Sequence, residues 1–405
     1  MKKIYARSYQ FVFKIVSNFL KWRKPEIISG VNSLLKLPNI ISANNINCLL
    51  IVTDKGIVSL GLMNQFLEKM DKDKLKYVIY DKTVPNPTID NIEEARELYL
   101  KENCDAILGF GGGTAMDCAK AVGARIARPN KSIQKMKGEL KIGKKIPFLI
   151  TVPTTAGTGS EATLAAVVTD SKTHEKYAIN DPVLIPNIAV HDPILLQKLP
   201  KNLTSTTGMD ALTHAIEAYI GRSNTKETKE YAIKAVKIIF RDLENSYNDG
   251  NNLILREHML KASYYAGIAF TRAYVGNIHA MAHTLGGFYQ VPHGYANAII
   301  MPYVLDYYGE SAEVKLAELA KHVEIGQDSN SDSDRATKFI ETIKLMNNKM
   351  GIPDFIIIPD ESNLEQMVDR AYSEAFPLYP VPKIFDKKDF EILFRRFLKY
   401  SNEEK

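Results

Sequence analysis

The chain has 405 residues, more than a single hydrophobic core accommodates comfortably, so two domains are expected. Hydrophobic residues make up 45% and charged residues 24%, which is the composition of a soluble globular protein. The net charge of +5 comes from interspersed lysines and acids without a long basic stripe, so no nucleic-acid partner is expected.

The cysteines and the apolar runs indicate the compartment. Three cysteines, Cys48, Cys104 and Cys118, lie in or beside apolar segments, and their odd number does not suit a disulfide framework. We interpret them as reduced core residues of a cytoplasmic protein. No apolar run reaches the roughly 18 residues that a transmembrane helix needs. The sequence therefore predicts a cytoplasmic protein without a membrane span.

The first 25 residues predict an amphipathic N-terminal extension. Apolar residues recur at helical spacing between basic ones: Phe11, Val12, Ile15, Val16, Phe19 and Leu20, with Lys14, Lys21, Arg23 and Lys24. No small-residue cleavage site is present and Lys14 breaks the apolar stretch, which argues against a signal peptide. Such a helix either lies on a membrane surface or packs on its own body or a partner subunit. We favour packing and expect no membrane partner.

Elements along the chain predict two domains of different class. Strands are predicted at 47–54, 76–81, 106–113, 146–154 and 187–193, with helical patterns between them and a hairpin formed by "AAVVTD" and "KYAIND". Alternating strands and helices indicate a mostly parallel sheet. After about Leu199 the periodicity is helical, and "SNSDSDR" and "GIPDFIIIPD" are interpreted as loops. We predict an α/β nucleotide-binding domain over 1–198 and an all-helical metal-binding domain over 199–405.

A glycine-rich turn, "GGGTAMDCAK", follows the third strand and begins a helix. Glycines without Cβ atoms let the backbone approach a phosphate, and the N-terminus of a helix offers unpaired N–H groups. Gly112, Gly113 and the hydroxyl of Thr114 are therefore candidate phosphate contacts. The turn matches neither G-x-G-x-x-G nor the P-loop. Glycines also close ordinary strand–helix turns, which is the alternative.

Two further strand ends carry polar residues. "PTTAGTGSE" (153–161) presents Thr154, Thr155 and Thr158, which suit the ribose and diphosphate of a dinucleotide, although alone it would be a threonine-rich turn. Asp54 ends the first strand and can accept hydrogen bonds from an adenosine ribose while repelling a 2′-phosphate. A helix cap is the other interpretation of Asp54. We predict NAD(H), with NADP(H) as the alternative.

The second half of the chain carries a candidate metal site. Asp210 and His214 are four residues apart, as are His279 and His283, so each pair shares a helical face, and His293 follows a short loop. One carboxylate and three of these four imidazoles suit a divalent first-row metal, either Fe²⁺ or Zn²⁺. The alternative is that these residues form ordinary pairs on a helix surface, or that they are buried groups whose hydrogen bonds are made within the protein. Ala280 after His279 excludes the H-E-x-x-H helix of zinc proteases.

Together, "GGGTAMDCAK", "VPTTAGTGSEAT", "GMDALTHAIEAY" and "HAMAHTLGGFYQVPHGYANAIIMP" resemble the iron-containing (group III) alcohol dehydrogenase family. The resemblance covers roughly residues 40–305 well and the C-terminal helices more loosely. It implies a dehydroquinate synthase-like fold, with His283 near the nicotinamide but not on the metal. His283 is then the candidate catalytic residue, which passes the proton toward solvent or holds the nicotinamide ribose; a structural, hydrogen-bonding histidine is the alternative. The metal ligands that it implies are Asp210, His214, His279 and His293. The cofactor contacts that it implies are Asp54, Asn86, Gly113, Thr114, Asp117, Thr154, Thr155, Thr158, Lys176 and Leu195.

The function that the resemblance implies is hydride transfer between NAD(H) and a small primary alcohol, diol or aldehyde. The third imidazole favours iron over zinc, and a homodimer is expected. An NADP(H)-preferring or zinc-dependent, glycerol-dehydrogenase-like polyol oxidoreductase is one alternative, and a non-catalytic binding protein on the same fold is another. Thr114 replaces the usual serine and keeps its hydroxyl, whereas Ala165 replaces an asparagine contact of some members. Arg272 and Tyr274 replace smaller residues of some relatives, so the substrate stays open.

Overall fold

The computed structural model describes residues 1–20, 22–172 and 175–401. Its chain divides into an α/β unit, Lys21–Leu199 with Gly250–Tyr264, and a helical unit, Met1–Leu20, Pro200–Asp249 and Tyr265–Lys405. Two parts of the predictions lie outside the described residues: Lys21 of the predicted N-terminal segment 1–25, and residues 402–405 of the predicted second domain.

The first helix, α1 (Lys2–Asn18), belongs to the helical unit rather than to the α/β portion in which the sequence pattern placed it. Arg7 on α1 explains this grouping, because its guanidinium donates to the carbonyls of Val381 and Pro382, each at 2.8 Å. The apolar residues that defined the predicted amphipathic face are largely exposed, with Phe11 at 65% and Phe19 at 83%. The helix is confirmed, but it packs through another face.

The α/β unit is built around a parallel sheet. Its elements are β1 (Glu26–Ser29), α2 (Leu37–Ala43), β2 (Cys48–Val52), α3 (Lys55–Ser59), α4 (Asn64–Lys72), β3 (Lys76–Tyr80), α5 (Ile89–Lys101), β4 (Ala106–Gly111), α6 (Gly113–Ala127), β5 (Gly138–Glu139), β6 (Phe148–Pro153), β7 (Ala165–Thr169), β8 (Lys176–Asn180) and β9 (Ile188–His191). The strand order is β1-β9-β6-β4-β2-β3. Strands β2 and β4 are buried along their whole length, as expected when helices cover both faces of a parallel sheet.

The sequence pattern located most of these strands. The predicted runs correspond to β2, β3, β4, β6 and β9, and the predicted hairpin is confirmed by the antiparallel pairing of β7 with β8. Strand β1 at the sheet edge and the two-residue β5 were missed. Both are too short to show a periodic pattern.

The register of the sheet determines which loops meet. In β4 and β6, Gly111 pairs with Pro153, and the ladder is extended by Thr154 N–H donating to the Gly111 carbonyl at 2.9 Å. Strand β2 pairs in parallel with β4, Val52 opposite Gly109. Because the carboxyl ends of parallel strands share one edge of the sheet, the predicted polar loops lie side by side.

The helical unit contains the remaining elements. They are α1, α7 (Lys201–Ile220), α8 (Lys226–Asn248), α9 (Leu253–Ala273, from Tyr265 onward), α10 (Asn277–Tyr289), α11 (His293–Tyr308), α12 (Glu313–His322), α13 (Asp332–Lys349), β10 (Ile356–Ile358), α14 (Leu364–Ala375), α15 (Lys387–Phe397) and β11 (Leu398–Tyr400). Helix α7 approaches α8 closely at Gly208, where an added Cβ would lie 2.2 Å from Leu243 Cδ1. Among the described residues, no helix has the length and apolar character to cross a bilayer.

The prediction of an all-helical second half needs one correction. It is mostly helical, but β10 and β11 pair in parallel within it. The sequence pattern assigned "GIPDFIIIPD" to a loop because three isoleucines are too short a signal for a strand. In the structure Ile356 and Ile358 are buried while Ile357 is 60% exposed, which is the alternation of a strand.

Candidate metal centre and cofactor loops

Three helices of the helical unit bring the predicted metal ligands together. Helix α7 carries Asp210 and His214 one turn apart, α10 carries His279, and α11 begins with His293. One ligand atom from each of the four residues lies within 4.8 Å of every other. Asp210 Oδ1 lies 3.4 Å from His293 Nε2 and 3.8 Å from His279 Nε2. A carboxylate and three imidazoles converging on one point are a donor set that fits Fe²⁺ or Zn²⁺.

Gly294 permits this convergence. A Cβ added to Gly294 would lie 2.4 Å from the carbonyl oxygen of Thr206 and 3.3 Å from Asp210 Cβ. Real Cβ atoms do not approach a backbone oxygen so closely, so any larger residue would push the start of α11 away from α7. The glycine next to His293 therefore keeps that imidazole within reach of Asp210.

Glu217, one helical turn beyond His214 on α7, orients His279. Its carboxylate accepts the backbone N–H of Gly276 at 2.7 Å, the N–H of Ile278 at 2.8 Å and the Nδ1–H of His279 at 2.6 Å. Burial raises the pKa of Glu217 to about 8, and the N–H donors act in the opposite direction. A carboxylate on Nδ1 leaves the Nε2 lone pair of His279 for a metal ion.

Burial also lowers the pKa of His279 well below its ordinary value, which keeps the imidazole neutral and its Nε2 available as a ligand. The ring of His214 stacks on Phe270, with centroids 4.1 Å apart, and lies 4.4 Å from the ring of His279. These contacts restrict the orientation of both rings.

Asn297, one turn after His293 on α11, is a further member of the cluster. Its Nδ2 donates to Asp210 Oδ1 at 2.7 Å and lies 3.2 Å from both His279 Nε2 and His293 Nε2. The acceptor atoms of three predicted ligands thus face a common donor. This arrangement supports their convergence on a single cation.

His283 lies beside the cluster, and its ring stacks on that of His293 with centroids 4.9 Å apart. His283 Nδ1 lies 2.6 Å from Glu374 Oε1 on α14. The same carboxylate oxygen accepts the hydroxyl proton of Tyr379 at 2.8 Å. His283 is therefore held by a carboxylate of its own.

In the α/β unit, the glycine loop (111–113) and the threonine loop (153–161), which were predicted to bind the dinucleotide, contact each other. A Cβ added to Gly113 would lie 2.8 Å from Thr158 Cγ2, and one added to Gly112 would lie 3.4 Å from Thr155 Oγ1. Gly112 precedes α6 and Gly113 begins it, so the N-terminal N–H groups of α6 and the threonine hydroxyls occupy the same region. Thr114 follows directly and is partly exposed, whereas Thr154 is buried.

Asp54 has two carboxylate oxygens in different surroundings. Oδ1 accepts the N–H of Ile57 at 3.0 Å and so caps α3, which was the alternative interpretation of this residue. Oδ2 faces the glycine loop, 3.7 Å from the position of a Cβ on Gly111. The cap therefore does not exclude a ribose contact through Oδ2.

Lys120 on α6 holds the end of the threonine loop through its ammonium group. Its buried ammonium, with three hydrogens to donate, lies 2.6–3.0 Å from five oxygens: the carbonyls of Ser160, Thr163 and Ala165 and the hydroxyls of Ser160 and Thr163. Asp117, a predicted cofactor contact, accepts the hydroxyl proton of Ser160 at 2.6 Å. Asp117 thus also helps to hold this loop.

The remaining predicted cofactor contacts lie elsewhere in the α/β unit. Asn86 has a left-handed backbone, with φ of 56°, and its Oδ1 accepts from Lys176 Nζ at 2.8 Å. Leu195 lies in a buried turn after β9. The structure therefore brings Asn86 to Lys176, and the glycine loop to the threonine loop.

Sequence reasoning missed the partners that orient the histidines. Glu217 could have been found, because it lies seven residues after Asp210 on the same face of α7. Asn297 lies four residues after His293 on α11 and carried the same signal. Glu374 is 91 residues from His283, and no spacing rule connects them.

Known proteins resemble the chain over nearly its whole length. Family models described as "Iron-containing alcohol dehydrogenase" and "Fe-containing alcohol dehydrogenase family, C-terminal" match residues 24–193 and 204–398. The 1,3-propanediol dehydrogenase of Citrobacter freundii is 35% identical over 370 residues, 89% of this chain and 95% of that protein. The NAD-dependent methanol dehydrogenase of Bacillus methanolicus is 35% identical over 75% of this chain and 79% of that protein. A crystal structure of 1,3-propanediol oxidoreductase superposes with a TM-score of 0.88 at 32% identity, covering 93% of this chain and 99% of the other.

Proposed function

The chain belongs to the iron-containing alcohol dehydrogenase family, and from that membership we propose that it transfers hydride between a small primary alcohol or diol and NAD(H). The observation that carries this proposal is the cluster of Asp210, His214, His279 and His293, whose ligand atoms lie within 4.8 Å of one another. We propose these four as the ligands of Fe²⁺. Relatives named for 1,3-propanediol and for NAD-dependent methanol oxidation support the substrate class and the cofactor.

A divalent ion held by these residues supplies Lewis-acid polarisation of the substrate oxygen. The chain's part is to bind and orient that ion. Glu217 fixes the tautomer of His279, and Gly294 keeps His293 beside Asp210. NAD(H), held by the α/β unit, would supply the hydride chemistry.

We propose His283 as the residue that moves the hydroxyl proton. Its Nδ1 is bound to Glu374, so Nε2 is the nitrogen left to hold or pass on a proton. The bond of His283 to Glu374 supports a role for this histidine apart from the four proposed ligands.

The α/β unit is proposed to bind the dinucleotide. Backbone N–H groups at Gly112, Gly113 and Thr114 would hold the diphosphate, and Thr155 and Thr158 supply hydroxyls beside it. Asp54 Oδ2 would accept hydrogen bonds from the adenosine ribose. Five further residues stay predicted cofactor contacts: Asn86, Asp117, Thr154, Lys176 and Leu195.

We also propose a cytoplasmic homodimer. The described cysteines are free and buried, which suits a reducing compartment. The exposed apolar face of α1, which includes Ile4, Phe11 and Val12, supports contact with a partner copy. The mass of the protein in solution, measured by light scattering, tests the dimer.

Purification without oxygen, followed by metal analysis and an NADH absorbance assay with small alcohols, diols and aldehydes, tests the proposed function. Turnover that requires Fe²⁺ and prefers NAD(H) supports it. Activity restored only by zinc would identify a glycerol-dehydrogenase-like metalloenzyme, and preference for NADPH would overturn the cofactor assignment. Metal binding without turnover on any alcohol or aldehyde would favour a non-catalytic protein.

A further inference from the structure

Helix α1 holds a short stretch that follows α14, the 377–382 segment (Pro377–Pro382). Gln10 on α1 donates both of its amide hydrogens into this segment, to the carbonyls of Pro377 at 2.9 Å and of Tyr379 at 2.8 Å. Gln10 is only 7% exposed. A buried amide is unfavourable unless its hydrogen bonds are made, so these two contacts couple the position of α1 to that of the segment.

Arg7, one turn before Gln10, reinforces the attachment. Its guanidinium donates to the carbonyls of Val381 and Pro382, and a further bond of 2.9 Å reaches Gln10 Oε1. Arg7 and Gln10 therefore act together on four carbonyls of the 377–382 segment. Three of its six residues are prolines, which lack an N–H and cannot hold the segment in a helix or a sheet ladder.

The 377–382 segment leads directly to His283. Its Tyr379 donates a hydroxyl hydrogen to Glu374 Oε1 at 2.8 Å, and that oxygen lies 2.6 Å from His283 Nδ1. One carboxylate oxygen thus bonds both the segment and the histidine. A shift of Tyr379 moves the partner that orients the imidazole.

We propose that α1 is a positioning element of the active site, acting through Tyr379 and Glu374 to orient His283. This inference rests on the proposed function of His283. The hydrogen bonds from Gln10 and Arg7 support it, because they are directional and end on the segment itself, whereas the ring contacts of α1 fall on Phe376 and Tyr274. Since a misplacement of about 1 Å in a catalytic group can lower a rate by about 100-fold, a loosened segment is expected to reduce turnover.

A double-mutant cycle tests this coupling. Gln10→Ala, Glu374→Ala and the double variant are compared for kcat, for KM of NAD and for bound iron. Lys3→Ala, at an exposed position of the same helix outside its apolar face, is the matched control. Amide hydrogen exchange at Tyr379 and Val381, measured on the metal-free proteins, reports on the segment independently of turnover.

We expect Glu374→Ala to lower kcat about tenfold or more, and Gln10→Ala to lower it several-fold with iron content and KM unchanged. In the Glu374→Ala background, Gln10→Ala should have no further effect, because the coupled path is already broken. Gln10→Ala should also speed exchange at Tyr379, whereas Lys3→Ala should change neither readout. Arg7→Lys, which keeps the charge but loses one carbonyl contact, replaces Gln10→Ala if that variant does not fold.

Three results would overturn the coupling. An equal loss of kcat from Gln10→Ala in both backgrounds would mean that α1 acts by another route. Unchanged kcat in Gln10→Ala, despite faster exchange at Tyr379, would show that the segment does not orient the histidine. Full activity in Glu374→Ala, with His283→Ala inactive, would show that the carboxylate does not position the histidine, whereas full activity in His283→Ala would overturn the proposed role of His283 itself.

Discussion

Replacing Glu217 tests whether a buried carboxylate orients a metal ligand. Glu217→Ala removes the acceptor for three N–H groups, those of Gly276, Ile278 and His279 Nδ1. Each buried donor left without a partner costs about 1–3 kcal/mol, so the loss of stability is about 3–9 kcal/mol. A domain has about 5–15 kcal/mol of stability in total, so this variant is expected to be unfolded or marginal.

Glu217→Gln is the variant to assay, because it is expected to remain folded. Oε2 serves both Gly276 and His279, and Oε1 serves Ile278. A glutamine with its oxygen in the Oε2 position keeps two of the three bonds and leaves only the Ile278 N–H facing another donor. We therefore expect a loss of about 1–3 kcal/mol and a folded protein.

Metal affinity separates the orienting role of Glu217 from simple stabilisation. Loss of an outer partner of a histidine ligand typically lowers metal affinity about 10–100-fold, and the neutral glutamine should fall near the lower end. The assay is competition with a chromophoric chelator for Fe²⁺, with the melting temperature measured beside it. A Glu217→Gln protein of wild-type iron affinity but lowered stability would refute the orienting role.

Three further substitutions have defined outcomes. Gly113→Ala places a Cβ 2.8 Å from Thr158 Cγ2, and we expect KM for NAD to rise at least tenfold while the iron content is unchanged. Asp54→Asn keeps the helix cap but removes the charge facing the ribose, so the ratio of kcat/KM for NADH over NADPH should fall by about tenfold or more. Gly208→Ala places a Cβ 2.2 Å from Leu243 Cδ1, and overpacking of this kind should lower the free energy of unfolding by about 1–3 kcal/mol.

Each of these substitutions has a contrary outcome. Unchanged NAD binding in Gly113→Ala would mean that the two loops do not form the diphosphate site. A wild-type cofactor preference in Asp54→Asn would restrict Asp54 to its capping role. Denaturant unfolding of Gly208→Ala with an unchanged midpoint would show that α7 and α8 relax apart freely.

The sequence predicted those features whose signal is local. Strands β2 and β4 are continuous buried apolar runs, and their pattern identified them. Asp210 and His214 share a face because of their four-residue spacing, and the structure places their carboxylate and imidazole 4.0 Å apart. In both cases the residues that matter are close in sequence, so helical or strand geometry alone brings them together.

Features that depend on distant contacts could not be predicted. Ile356 belongs to a strand only because Leu398 pairs with it, 42 positions later. The packing face of α1 follows from Gln10 and the carbonyls of the 377–382 segment, whereas amphipathic periodicity indicates the opposite face. Gly294 shows no requirement for glycine until α7 is placed against it.

The iron content of three proteins, reconstituted without oxygen and freed of excess metal, tests the central assignment most directly. Wild-type protein and His283→Ala are expected to retain a full complement of iron, because Asp210, His214, His279 and His293 are intact in both. His279→Ala should retain essentially none while its circular dichroism stays that of a folded protein. Full iron occupancy in His279→Ala, or loss of iron in His283→Ala, would contradict the proposed set of ligands.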